Sequence, residues 1–381
     1  MVPPTGDGAA PLVPAYGEAS LADLPGSALA ALGIDGLPNT LGLAPARRVC
    51  VFLVDGLGER LLRAHAHLAP FLSAHLGRVL TAGFPATTAT SLGTLGTGVP
   101  PGEHGMLGTQ LAVPGEGRLL NCLRWTSSAG PEIAPETWQP GTTVYQRAEA
   151  AGVRPVYVGP AMFAGTGLTR AVYRGVHYVG ADGVDDRVEA VRQALRAERA
   201  YVVVYYGDLD LAGHRVGTDT PEWREQLAIV DRMAERIAAA LPGGSALYIT
   251  ADHGMVDVVD RVDVDLVPEL REGVAMIGGD ARARHVYAEP GAAGAVLEAW
   301  RELLAGRAWV LPRDEAIAAG WFGRMMRREW LGRIGDVVAA PYGDCGLIAS
   351  RQEPFEAALV GMHGSLTAEE QYIPLVEVDT R

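Results

Sequence analysis

The sequence contains no lysine; each of its 32 basic residues is an arginine. That absence excludes a lysine nucleophile, a pyridoxal Schiff base and the phosphate-binding lysine of a Walker A loop. Cysteine is nearly as scarce. Cys50, Cys122 and Cys345 are too few and too scattered for a disulfide framework or a thiolate zinc site, and they fit buried positions in a reducing compartment. Asparagine occurs twice, as Asn39 and Asn121. No basic residue precedes Arg47 and no apolar run approaches a membrane span, so neither a secretory signal nor a transmembrane helix is expected. The expectation is a soluble, cytoplasmic protein without an obligate protein partner. A net charge of −13 argues against long nucleic acids, whose nonspecific binding relies on dense basic contacts to phosphate. A small anionic substrate held through local cations stays compatible with that charge.

What is present is apolar material, 48% of 381 residues, enough for a core domain and a smaller one. Strand and helix signals alternate, which argues for an α/β sandwich with a mostly parallel sheet. Arg47 to Val54, Tyr201 to Tyr206 and Ala246 to Thr250 are near-continuous apolar runs, the mark of strands buried on both faces. Val79 to Ala82 and Val153 to Val158 read as further strands, and Glu59 to Leu76 and Val184 to Ala197 as helices. Thr142/Thr143 opens a helix ending at Ala151. Thr220 and Pro221 open another, whose apolar stripe runs from Trp223 to Leu241 before Pro242-Gly243-Gly244 stops it. Residues 1–45 read as an arm over the core with a short helix near Leu21 to Leu32. Residues 46–260 and 334–381 form the expected core, and 261–333 an inserted βαβ-like cap.

The chemistry-bearing residues gather after the apolar runs. Asp55 follows Val51 to Val54, Asp210 and His214 follow Tyr206, Asp252-His253-Gly254 follows Thr250, and His363-Gly364 follows Ala357 to Val360. Strand carboxyl ends are where open α/β sheets bind ligands. Asp55 alone is equally well an N-cap, and His363 alone a core histidine. Adjacent Asp252 and His253 at a strand end have no packing rationale. The stretch Phe84 to Ser91, leading through Gly93, Gly96 and Gly98 to His104-Gly105, reads as a turn presenting a hydroxyl and then a closely packed small-residue helix. A threonine hydroxyl attacks phosphorus only when its pKa is lowered, which bound cations do. Three aspartates, three histidines and one threonine, with no thiolate, suit two divalent ions such as Mn²⁺ or Zn²⁺. Thr87, Thr88 and Thr90 are all available as the hydroxyl. His104, His177 and His285 read as structural, and His65, His67 and His75 as polar positions on the first helix.

These segments, in this order over residues 55–364, resemble the alkaline phosphatase superfamily and within it the nucleotide pyrophosphatase/phosphodiesterase branch. The resemblance implies an alkaline-phosphatase-like α/β/α sandwich and a two-metal phosphodiesterase. It assigns Asp210, His214 and His363 to one ion and Asp55, Asp252 and His253 to the other. Thr88, selected by counting back from Thr97-Gly98 and His104-Gly105, becomes the nucleophile and bridges to the second ion. Where the family has an asparagine three residues after the nucleophile, this chain has Ser91, so Ser91 or Asn121 is expected to substitute as donor to the phosphoryl group. In overall character the chain is similar to actinobacterial cyclic di-AMP phosphodiesterases of the AtaC type. That implies a cyclic dinucleotide substrate, with Arg282, Arg284 and Trp321 of the cap as candidate contacts. The rivals are a general nucleotide pyrophosphatase, a phosphomonoesterase, a phosphonate hydrolase, a phosphopentomutase-like enzyme and, outside catalysis, a nucleotide-binding sensor.

Overall fold

The computed structural model describes residues 10–380, so the first nine residues of the expected arm lie outside the described residues. Seven strands form the main sheet in the order Leu76–Thr81, Tyr372–Asp379, Ser245–Ala251, Arg48–Val54, Ala200–Tyr206, Arg154–Gly159 and His177–Gly180. All contacts among the last five are parallel, whereas Tyr372–Asp379 runs antiparallel to both its neighbours. The central strands are the apolar runs of the sequence: every residue of Ala200–Tyr206 and Ser245–Ala251 is buried, as is all of Arg48–Val54 except its first residue. Such strands cannot face water on either side, and helices cover both faces. The chain is thus the mixed α/β sandwich that its sequence predicts. Among the described residues, no helix is long and apolar enough to cross a membrane.

Register decides where the chemistry lies. Val54 is level with Tyr206 on one side and with Ala251 on the other. Asp55 and Asp252, each the next residue, therefore leave adjacent strand ends side by side. Ala200–Tyr206, the third of these three strands, continues into the helix Asp208–Val216, whose first turn carries Asp210. The long helix Pro221–Ala239 begins as expected, with the Thr220 side chain accepting from Trp223 N at 3.3 Å and Trp223 buried edge-on against the His65 ring. A cap of this kind stabilises a helix by about 1 kcal/mol.

Several expected elements differ. Glu59 to Leu76 is not one helix: Glu59–Ala64 and Pro70–Ala74 are separate short helices, and Leu76 already begins a strand. Pro70 lacks the N–H an uninterrupted helix would need and starts a new one instead. The run Ala357 to Val360 before His363 is a loop with a single 3₁₀ turn, followed by the two-residue strand Gly361–Met362. The cap is also larger than residues 261–333. Its four-stranded sheet has the order Val274–Asp280, Ala283–Ala288, Val337–Pro341, Ala308–Pro312. Val337–Pro341, expected to resume the core, lies between two cap strands because it is apolar on both faces and so suits any buried central position. The second hydrophobic cluster accordingly runs from Val264 to Ala349. Within the cap, Ala283–Ala288 and Ala308–Pro312 are linked by the helix Ala293–Leu303 and separated in the sheet by Val337–Pro341. The arm's helix, Asp23–Ala31, is part of the core rather than laid over it, with Leu24, Ala28 and Leu29 fully buried.

Candidate functional site

Thr88 is the first residue of the helix Thr88–Thr97, which starts where the loop after Leu76–Thr81 reaches the strand ends. The helix sits tight against its neighbours. A Cβ on Gly96 would lie 2.1 Å from the Val172 carbonyl oxygen, and one on Gly93 2.9 Å from the His104 ring, so glycine at both positions is a packing requirement. The Thr88 hydroxyl lies 3.5 Å from Asp55 Oδ1, to which it donates, and 3.3 Å from His253 Nε2. Thr87 and Thr90 are fully buried and bond each other, so neither hydroxyl faces open space.

Around Thr88 the six expected ligands converge. His253 Nε2 lies 3.4 Å from Asp55 Oδ1 and 3.3 Å from Asp252 Oδ2. His214 Nε2 lies 3.2 Å from Asp210 Oδ2 and 3.2 Å from His363 Nε2. The His253 and His363 rings stack at 3.5 Å between centroids, which joins the two groups into one cluster. Ligand atoms of Asp55, Asp252 and His253 all lie within 4.8 Å of one another, and so do those of Asp210, His253 and His363. His253 therefore stands between the two groups.

The arrangement fits two divalent ions on three observations of the chain itself. Each histidine spends Nδ1 on a backbone carbonyl: His214 on Gly361 at 2.7 Å, His253 on Gly254 at 3.0 Å, His363 on Ala86 at 2.8 Å. All three Nε2 lone pairs are thereby turned inward, the usual way a metal-ligating imidazole is held. Two carboxylate oxygens, Asp210 Oδ1 and Asp252 Oδ2, are buried with no hydrogen-bond partner. Orphaned buried acceptors of this kind are costly unless something outside the chain satisfies them. Finally, the carboxylates crowd one another. Burial, with the charges of Asp252 and Asp210, raises the Asp55 carboxyl well above the ordinary carboxylate range, and burial raises Asp252 as well. Asp210 is buried too, but the His214 imidazole outweighs that and holds it below its ordinary value. The same pairing lifts His214 to about 9 against the opposing effect of burial. Cations would relieve the surplus negative charge.

Supporting contacts surround the ligands. Tyr205 Oη donates to Asp55 Oδ2 at 2.5 Å, and Gly56 N and His253 N both donate to Asp252 Oδ1. Gly56 has φ +72° and a Cβ there would sit 3.0 Å from Asp210 Oδ1, so only glycine lets the first and third strand ends meet. Sequence reasoning missed Tyr205; the signal available was an aromatic with a polar tip at the end of a fully buried strand.

The expected substrate contacts divide. Asn121 lines the cleft of about 300 Å³ that contains Thr88, Asp210, His214 and His363. Its Oδ1 accepts from the backbone of Leu123 and Arg124, leaving the amide nitrogen for the cleft. Ser91 does not reach the cleft: fully buried, its hydroxyl donates to the Asp252 carbonyl at 2.8 Å and so positions a ligand. Arg282 and Arg284 are not open to a substrate either. Arg282 forms a buried two-pronged pair with Glu370, and Arg284 one with Glu353. Trp321 is buried edge-on against Phe84 with ring centroids 5.0 Å apart. Two arginines that the sequence did not single out, Arg124 and Arg215, do line the cleft, along with Phe355. His104 and His285 are structural, as expected: each is buried and bonded within the core, and burial lowers them to about 3 and about 4.

Comparison with known proteins places this geometry in context. Residues 49–366 match the family model described as type I phosphodiesterase/nucleotide pyrophosphatase. A stretch of 71 residues is 44% identical to the human ectonucleotide pyrophosphatase/phosphodiesterase family member 7, covering 17% of this chain and 15% of that protein. The fold is similar to that of the inactive murine ectonucleotide pyrophosphatase/phosphodiesterase 5 solved with AMP, at a TM-score of 0.69 and 18% identity over 88% of each chain. It is also similar to phosphonoacetate hydrolase from Sinorhizobium meliloti 1021, at a TM-score of 0.66 and 18% identity over 87% of this chain and 90% of that one.

Proposed function

Because the chain belongs to the type I phosphodiesterase/nucleotide pyrophosphatase family, whose members are hydrolytic enzymes using two divalent ions, we propose that it hydrolyses nucleotide phosphodiesters with Thr88 as nucleophile. The observation that carries this reading is the Thr88 hydroxyl at a helix start, within 3.5 Å of Asp55 Oδ1 and 3.3 Å of His253 Nε2, beside two unpartnered carboxylate oxygens. Asp55, Asp252 and His253 would hold one ion, Asp210, His214 and His363 the other. When bound, such ions lower the pKa of a hydroxyl and offset the charge of a phosphate.

The chain's own residues supply the rest. Thr88 Oγ1 forms a bond to phosphorus while the bond from phosphorus to the leaving alcohol breaks. The hydroxyl proton moves towards Asp55 Oδ1, which Tyr205 keeps oriented. The amides of the first helical turn after Thr88 bring partial positive charge to the transferred phosphoryl group. Water then cleaves the phosphothreonine, restoring the hydroxyl and releasing a phosphomonoester. Asn121, which lines the cleft and spends only its Oδ1 on the backbone, is the side-chain donor in place of the family's asparagine.

Within this class the proposed substrate is cyclic di-AMP, opened to the linear dinucleotide and cut onward to AMP. The chain around the nucleophile carries no arginine between Arg78 and Arg118, and the two arginines that line the cleft, Arg124 and Arg215, come from other segments; this supports a diester over the more highly charged monoester. Arg118 itself is engaged with Glu116, Ser127 and backbone carbonyls. The test is a panel of cyclic di-AMP, cyclic di-GMP, an aryl diester, an aryl monoester and phosphonoacetate, run with Mn²⁺ and with Zn²⁺. Cyclic di-AMP is expected to give the highest kcat/KM, and Thr88→Ala to lose at least about a thousandfold in kcat with metal content near wild type. Faster turnover of the monoester or of phosphonoacetate overturns the diesterase reading. Full activity in Thr88→Ala moves the nucleophile elsewhere.

A further inference from the structure

The cleft over Thr88 does not end at its own walls. A second, larger cavity of about 630 Å³ adjoins it, enclosed by the strands Gln110–Val113, Arg118–Asn121 and Thr126–Ser127, by Ala275 and Met276 of the cap, and by residues 352–356. Gln110, Asn121, Arg124, Glu353, Phe355 and Glu356 line both cavities, so they form the threshold of one continuous groove. Only the smaller chamber touches Thr88 and the ligand cluster.

The threshold is built for a flat, anionic group. Phe355 is 61% exposed, unusual for an aromatic side chain, and the Arg124 guanidinium lies 5.5 Å from its ring centroid. Arg124 is displayed by a rigid turn. Asn121 Oδ1 accepts from the backbone amides of Leu123 and of Arg124 itself, and on the other side Trp125 (φ +58°) donates its indole N–H to Ile133 O. Arg124 pairs with Glu356 at 3.2 Å, but both side chains are exposed, and an exposed pair is weak enough to exchange for a phosphate oxygen. An exposed ring beside a releasable guanidinium is the equipment that stacks a base and pairs its phosphate.

We propose that the larger chamber is a subsite for the half of a two-nucleoside phosphodiester that does not lie over Thr88, with Phe355 stacking its base and Arg124 pairing its phosphate. This rests on the diesterase reading above, and deepens it by assigning specificity to substrates with a nucleoside on both sides of the scissile bond. It also replaces Arg282, Arg284 and Trp321, whose burial removes them from that role.

Three variants test it: Phe355→Ala, Arg124→Ala and Ser128→Trp, the last at an exposed residue that lines the larger chamber and not the cleft over Thr88. For each, kcat/KM is measured on cyclic di-AMP and on bis(4-nitrophenyl) phosphate, and Kd for cyclic di-AMP is measured by calorimetry on the metal-loaded Thr88→Ala background. Each variant is expected to lose about tenfold or more in kcat/KM and Kd for the dinucleotide, with the aryl diester within about twofold of wild type. Equal losses on both substrates would give these residues a general role and overturn the subsite, as would unchanged dinucleotide kinetics and Kd. If wild type hydrolyses neither diester, the diesterase reading fails. The calorimetric arm then still decides the subsite, since weaker dinucleotide binding in the three variants supports it and unaltered binding refutes it.

Discussion

His214, His253 and His363 meet one orientation problem with one device, an Nδ1 bonded to a backbone carbonyl so that Nε2 is free to ligate. The carboxylates are less symmetrical: Asp252 shares Oδ1 with two backbone amides and leaves Oδ2 buried and bare. Asp252→Asn keeps the shape but removes the charge. It is expected to release at least one ion per chain, read by elemental analysis, and to lower kcat by about a hundredfold or more. Full metal content with lost activity would give Asp252 a role other than ligation. These candidate ligands were legible because an Asp-His pair at a strand end has no packing purpose. Ser91, Arg282, Arg284 and Trp321 were misread for the opposite reason. A serine, arginine or tryptophan has the same name whether it faces a cleft or an interior partner, and only the fold supplies Glu370 and Glu353 to pair the two arginines.

At the scale of elements, the buried pair between Arg282 and Glu370 links the end of a cap strand to the short helix Ala368–Gln371 of the core, with both side chains fully inaccessible. Removing one partner leaves the other charged and dry. Arg282→Met and Glu370→Gln are each expected to destabilise by about 3–5 kcal/mol in urea unfolding, while the double change to apolar residues recovers most of the loss. A loss under about 1 kcal/mol in either single variant would show that water reaches the pair. The neighbouring elements show what periodicity can and cannot reveal. The helix Pro221–Ala239 was readable to its first residue because cap, proline and apolar stripe agree. Val337–Pro341 was assigned to the wrong sheet because a strand buried on both faces carries no mark of which sheet it joins.

For the whole molecule, the site lies where two hydrophobic cores meet. Thr88 and the candidate ligands lie beyond the strand ends of the main sheet and on the loop carrying His363, while Gly279, Asp280 and Ala281 of the cap close the same cleft. Ions held as proposed, from the strand ends and from the loop carrying His363, would bind only the folded chain, so chelation is expected to lower stability. At a free metal concentration a hundred times Kd the linkage amounts to about 2.7 kcal/mol, a fall of several degrees in Tm on adding EDTA. An unchanged Tm, with the ions shown by elemental analysis to have left, would count against that coupling. The α/β class and the ligand order were legible over most of the chain, but the position of the last strand was not, because nothing local in Tyr372–Asp379 says that it runs against its neighbours. That strand has a consequence for synthesis on the ribosome. Among the described residues, the one strand hydrogen-bonded to Leu76–Thr81 in the main sheet is Tyr372–Asp379, which emerges some three hundred residues later. Until then the nascent chain presents two open strand edges, at Leu76–Thr81 and Ser245–Ala251, that only its own late-made segment is shaped to close. A message cut short before codon 372 would therefore yield all of the candidate site residues and still leave a sticky, unfinished sheet.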